Sequence, residues 1–85
     1  MTVLYTDFFK KRFQALPLKI QKKFSERMTL FLKNPFHPLL KNHPLQGNAL
    51  GKRAFSVTGN YRAIYSSVIK GTMKFIDIGT HAQVY

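Results

Sequence analysis

The periodicity of the chain changes once, and the change falls at a loop. Between Pro17 and Asn34, Ile20, Phe24, Met28, Phe31 and Leu32 recur at steps that keep one helix face apolar. From Lys52 onward the pattern has period 2. "KRAFSVT", "YRAIYSSVI" and "TMKFIDI" are β-branched and aromatic runs, parted by Gly59-Asn60 and Lys70-Gly71, and they read as an antiparallel meander. Helices first and strands last is the order of an α+β fold, with the helices covering one face of the sheet.

The remaining segments fit that plan. "TVLY" before Thr6 reads as a short first strand. Thr6 or Asp7 can cap a helix over roughly residues 7–16, with Phe9, Phe13 and Leu16 on one face. Pro17 suits the first turn of the second helix, and Asn34-Pro35 ends it. The predicted order is therefore β-α-α-β-β-β, two N-terminal helices on a small, twisted, mainly antiparallel sheet. Its 85 residues suffice for one domain, 1–85, built on one modest core to which the Phe and Met stripe belongs. Residues 34–51, "NPFHPLLKNHPLQGNALG", form a Pro- and Gly-punctuated loop long enough to carry function. Whether Arg53 and Arg62 share a sheet face depends on a two- or three-residue turn near Gly59-Asn60, which leaves both registers open.

Charge narrows the partners. Fourteen Lys and Arg stand against three acids, a formal net charge of +11. So positive a field points to a polyanionic or acidic partner: nucleic acid, an anionic membrane or an acidic protein. No apolar run approaches the roughly 18–20 residues needed to span a bilayer, and "MTVLYTDFFKKRF" lacks a signal-peptide layout, so a cytoplasmic protein without a membrane partner is expected. Cysteine is absent, which removes disulfides and thiolate metal sites.

Elimination narrows the chemistry. Asp7, Glu26 and Asp77 are scattered over a helix start, a helix and a strand, whereas a two-metal nuclease needs clustered carboxylates. His37, His43 and His81 match no zinc spacing, and no phosphate-cradling loop or nucleophile elbow is present, so no metal and no cofactor are expected. One phosphate chemistry stays open without either. RNA brings its own nucleophile, the ribose 2′-OH, and asks only for a base, an acid and cations. Histidine titrates near neutrality, arginine forks onto phosphate oxygens, and tyrosine stacks on bases. The C-terminal half supplies His43, His81, Arg53, Arg62, Tyr61 and Tyr85. Each also has an ordinary role as surface or sheet residue, so RNA cleavage and RNA binding without cleavage both remain open on these residues alone.

"HPLQGNALGKRAFSVTGNYRAIY" followed by "FIDIGTHAQVY" resembles the signature of RelE/ParE-superfamily toxins of bacterial toxin–antitoxin systems, in the mRNA-interferase branch of RelE-, YafQ- and YoeB-like proteins. The likeness runs over essentially the whole chain. It implies binding in the ribosomal A site, cutting of mRNA there by metal-independent 2′-OH attack, and neutralisation by a cognate antitoxin with an acidic segment. Arg62, in "YRAIY", matches the arginine expected at the scissile phosphate. His81 of "GTH" matches the family's C-terminal histidine, a general acid or base. Tyr85 matches the terminal aromatic that packs on a base, and His43 of "HPL" matches a loop histidine. Arg53, Lys52 and Lys41, with Asn60 and Tyr61, make up the implied RNA-binding set.

Three positions depart from the YafQ-like pattern. Ser56 replaces a histidine before the turn, Asn60 an acid within it, and Asp77 an arginine of the last strand. His81 is then the main titrating catalyst and His43 the second, with Arg62 offsetting the lost arginine. If "GTHAQVY" continues the last strand, period 2 puts His81 and Tyr85 on one side, with Asp77 making that end less positive. Two alternatives belong to other classes: a gyrase-directed, ParE-like inhibitor, and a catalytically silent module that binds RNA or antitoxin only.

Overall fold

The computed structural model describes residues 1–47 and 51–85. The chain enters on β1 (Thr2–Tyr5) and turns at once into α1 (Asp7–Gln14). Thr6 makes that turn: its backbone is extended and its hydroxyl accepts the Phe9 amide at 3.0 Å. Asp7 follows in the first turn, where the helix dipole favours an acid. Thr6→Ala is expected to cost about 1 kcal/mol of stability, read as a lowered urea midpoint. An unmoved midpoint would show that the Phe9 amide has found another acceptor.

Pro17 stands one residue ahead of α2 (Leu18–Lys33), not inside its first turn. Its carbonyl accepts the Ile20 and Gln21 amides, and the Gln21 side chain reaches back to the Leu16 carbonyl at 3.1 Å. One short link thus ends α1 and starts α2, with orphan carbonyls of the first helix satisfied by the second. Of the predicted stripe, Phe24, Met28 and Phe31 are buried and Ile20 packs at the core's margin. Leu32 instead points outward, being 53% exposed.

Five strands form one mixed sheet in the order β1-β5-β4-β3-β2, with β2 (His43–Pro44), β3 (Lys52–Ser56), β4 (Tyr61–Ser66) and β5 (Thr72–Thr80). The last four are joined antiparallel, while β1 lies parallel to β5 over Thr72–Phe75. The helical pair covers one face. At the centre Phe31 is fully buried, with its ring 5.2 Å from Phe55, 5.2 Å from Tyr65 and 5.7 Å from Phe75. Packing of aromatic edges against faces is the favoured geometry for such a cluster.

Two local features set which side chains face away from the helices. Val57 donates to the Tyr61 carbonyl at 2.9 Å, and the Thr58 hydroxyl accepts the Tyr61 amide at 3.1 Å, so three residues close the β3–β4 turn and Ser56 pairs with Arg62. Then β5 bulges at Ile76, because Ile64 pairs with Asp77 while Tyr65 pairs with Phe75. The extra residue lets Phe75 and Ile78 both join the core, three residues apart. The face opposite the helices carries His43, Ala54, Ser56, Arg62, Ile64 and Gly79 at successive register positions.

The segment predicted as a plain loop over 34–51 has structure within it. A 3-10 turn at Pro38–Leu40 seats Leu40 fully buried, and β2 follows at the sheet edge. Its residues 48–50 lie outside the described ones. Among the described residues no helix is long and apolar enough to cross a membrane.

Candidate active site

Three pieces of backbone bring the site together. The first is Lys41, held in the left-handed region at φ 49°, which is uncommon for a residue with a side chain. The turn it makes aims its carbonyl at His43, whose Nδ1 lies 3.0 Å away. A carbonyl can only accept, so Nδ1 carries the proton and, in the neutral ring, Nε2 presents a lone pair. That nitrogen is 3.2 Å from the Tyr85 hydroxyl, which donates to it.

The second is the chain end. It does not continue β5 as an extended strand, as expected from its period. Thr80 and Gln83 close a capping box, and α3 (His81–Val84) follows. The His81 amide donates to the Asn60 carbonyl at 2.9 Å, tying α3 to the β3–β4 turn. His81 and Tyr85 still share a side, but as helical neighbours four residues apart. The Tyr85 amide donates to the His81 carbonyl, and the rings meet edge to face at 4.3 Å. Both side chains are exposed, Tyr85 by 47%.

The third is the β3–β4 turn itself. Arg62 Nη1 donates to the carbonyls of Thr58 at 2.9 Å, Gly59 at 3.2 Å and Tyr61 at 3.2 Å. The guanidinium is thereby fixed, with Nε and Nη2 making no hydrogen bond among the described residues. Burial pushes the Tyr85 hydroxyl above its ordinary value, and the Arg62 charge partly offsets this. At neutral pH the phenol therefore stays protonated, as its bond to His43 requires.

The acids stand away from this cluster. Asp7 is at the start of α1, and Glu26 is 3.4 Å from Lys23 on α2. Asp77, expected to make the catalytic end less positive, lies 3.1 Å from Arg12 Nε and accepts the Ile78 amide. Its charge is met by α1. Among the described residues no three His, Asp or Glu side chains converge as a metal-binding group.

Other predicted residues are spread more widely. Arg53 pairs with Tyr65 on the helix side of the sheet, opposite the face of Arg62, and stacks 5.2 Å over Phe36. Asn42, which no sequence signal singled out, holds it: the amide oxygen accepts from Arg53 Nε at 2.9 Å, and the amide nitrogen donates to the Tyr65 hydroxyl at 2.7 Å. Lys41 is exposed and Lys52 half-buried, while Tyr61 packs at the core margin. Asn60 serves through its backbone carbonyl. Ser56 is buried and donates to the Thr58 carbonyl at 2.8 Å, bracing the turn.

No family sequence model matches the chain, and no curated protein matches it by sequence. Solved structures do. YafQ from E. coli strain BL21(DE3) superposes with a TM-score of 0.82 and 26% identity, covering 98% of this chain and 96% of YafQ. YafQ in the E. coli DinJ–YafQ toxin–antitoxin complex gives 0.79 and 26%, over 98% of this chain and 94% of that one. The chain has the fold of the YafQ toxins and is similar to them over nearly its whole length. A YoeB/ParE toxin from Agrobacterium tumefaciens, 21% identical, shares the RelE-type fold with a TM-score of 0.78 over 95% of this chain and 99% of its own. On the RelE-type scaffold the cluster of His43, Arg62, His81 and Tyr85 lies on the sheet face that the helices leave open.

Proposed function

We propose that this RelE/ParE-superfamily toxin is a ribosome-dependent endoribonuclease that cuts mRNA in the A site without a metal. One observation carries the reading: two histidines, a tyrosine and an immobilised arginine meet on one sheet face, while all three acids lie elsewhere or are paired. In-line transfer to the 2′-oxygen needs that set. The 2′-OH proton passes to a base as its oxygen bonds to phosphorus; the P–O5′ bond breaks, and an acid protonates the departing 5′-oxygen. The products are a 2′,3′-cyclic phosphate and a 5′-hydroxyl. His43 Nε2, with its lone pair fixed by the Lys41 carbonyl, suits the base, and His81 on the exposed side of α3 suits the acid. The free edge of the Arg62 fork faces the charge that gathers on the phosphoryl oxygens. Tyr85 offers its ring for a base to stack on.

The partners follow from the same charge. Ribosome and mRNA are polyanions that a +11 surface attracts. A cognate antitoxin with an acidic segment would cover the same face, as the existence of the DinJ–YafQ complex suggests for its toxin. The test is expression of the chain in bacteria with mapping of mRNA 5′ ends. New ends at fixed positions within codons, confined to translated messages, are the expected outcome. Growth arrest without such ends would point to the gyrase-directed alternative, and binding to purified ribosomes without cleavage to a silent module; either result would sink the proposal.

A further inference from the structure

Arg12 turns from α1 toward an edge of the sheet that no strand covers among the described residues. β1 accompanies β5 only to Phe75, and beyond it Arg12 lies alongside, with Nε 3.3 Å from the Ile78 carbonyl and 3.1 Å from Asp77 Oδ1. Its Nη2 is buried and has no hydrogen-bond partner among the described residues. Native structures keep few such groups, because each forfeits its hydration. This nitrogen, with Gln83, fills the space that a side chain at Gly79 would take. A Cβ on Gly79 would begin 2.7 Å from Arg12 Nη2 and 2.7 Å from Gln83 Oε1. Gln83 Oε1 is the group that accepts the Thr80 amide at 2.8 Å and closes the box at the start of α3. Gly79 itself is paired with Arg62.

We propose that Arg12 is a positioning residue for α3: its guanidinium and the Gln83 side chain together fill the space left by Gly79, brace the end of β5, and so set where His81 and Tyr85 stand over Arg62. The catalytic part of this inference rests on the function proposed above. The physical need is plain. A helix of one turn cannot sustain itself. A side chain packed against the same space as Gln83 limits where α3 can move, and the Asp77 pair orients the guanidinium that does so. Displacement of a catalytic group by about 1 Å can cost about 10²-fold in rate.

Gly79→Ala tests the latch without removing a charged or catalytic group. Its φ is not among the positive ones, so alanine fits the backbone, and the new methyl meets the ends of two flexible side chains. Gly79→Ala and Arg12→Gln are each expected to lower single-turnover cleavage on mRNA-programmed ribosomes about 10–100-fold, with ribosome affinity unchanged. In the free protein, the Tyr85 amide should exchange with solvent faster. Arg12→Lys keeps the charge beside Asp77 but has no second nitrogen to fill the space beside Gly79; it should restore stability and not cleavage. Lys11→Gln, exposed one residue away, is the control. Wild-type cleavage by Arg12→Lys, or unchanged Tyr85 amide exchange in Gly79→Ala, would overturn the latch. Absence of cleavage by the wild-type protein would instead overturn the ribonuclease reading, leaving amide exchange to decide on the latch.

Discussion

His81→Ala is expected to slow mRNA cleavage by about 10²–10⁴-fold, the usual contribution of a positioned proton donor. In barrier terms that is roughly 3–5 kcal/mol. The substitution is clean for a structural reason. Among the described residues, the only polar tie of His81 to the sheet is its backbone amide, which donates to the Asn60 carbonyl and survives the change. Alanine is the best helix former, so α3 loses nothing in propensity. What goes is an exposed ring that packs on Tyr85 at 4.3 Å and that can give a proton to a leaving oxygen. Ribosome affinity should therefore hold while the single-turnover rate falls. A variant that cleaves at the full rate would shift the acid role away from α3 and leave His43 as the only histidine in the mechanism.

Much of the fold is legible because it rests on local patterns with one physical cause. The helix stripe of α2, the Thr6 cap and the three late strands each follow from periodicity or capping chemistry. Long-range partners leave no such trace. Nothing in sequence marks Asp77 as the partner of Arg12, 65 positions away, so its charge reads as free when it is paired. The Ile76 bulge is equally silent: it shifts the alternation of β5 by one, which puts Ile78 in the core and Asp77 level with Ile64.

The chain end is the instructive case. Alternation favoured an extended tail, yet Thr80-His81-Ala82-Gln83 carries the Thr-x-x-Gln of a capping box, and the structure forms it. Local hydrogen bonding won over strand continuation because β1 offers no partner that far along β5. The two readings agree that His81 and Tyr85 share a side, which is why the pair could be named before its geometry. They differ in what supports it: one helical turn, anchored at Asn60, instead of a pleat. Arg53 shows the opposite limit. Its residue type suited an RNA contact, but a three-residue turn fixes a register that puts it on the far face from Arg62, against Phe36 and Asn42.

Arg62→Lys should cost nearly as much as removing the arginine outright, about 10²–10³-fold in cleavage rate, as for loss of one preorganised donor to a developing oxyanion. Lysine keeps the charge, and a purely Coulombic role would survive it. The geometry argues for more than charge. Three turn carbonyls hold Nη1, between 2.9 and 3.2 Å, so the plane of the guanidinium is set before substrate arrives. A planar fork anchored at one nitrogen can present the others to two phosphoryl oxygens at once; an ammonium that satisfies the same carbonyls has nothing left to offer. The loss should appear in the chemical step, with ribosome binding retained, because the remaining cations still supply the long-range attraction. Far-UV circular dichroism would check that the turn survives. Cleavage by Arg62→Lys within a few-fold of wild type would mean that a point charge suffices at this position, and that the three carbonyl contacts serve the turn and not the phosphate.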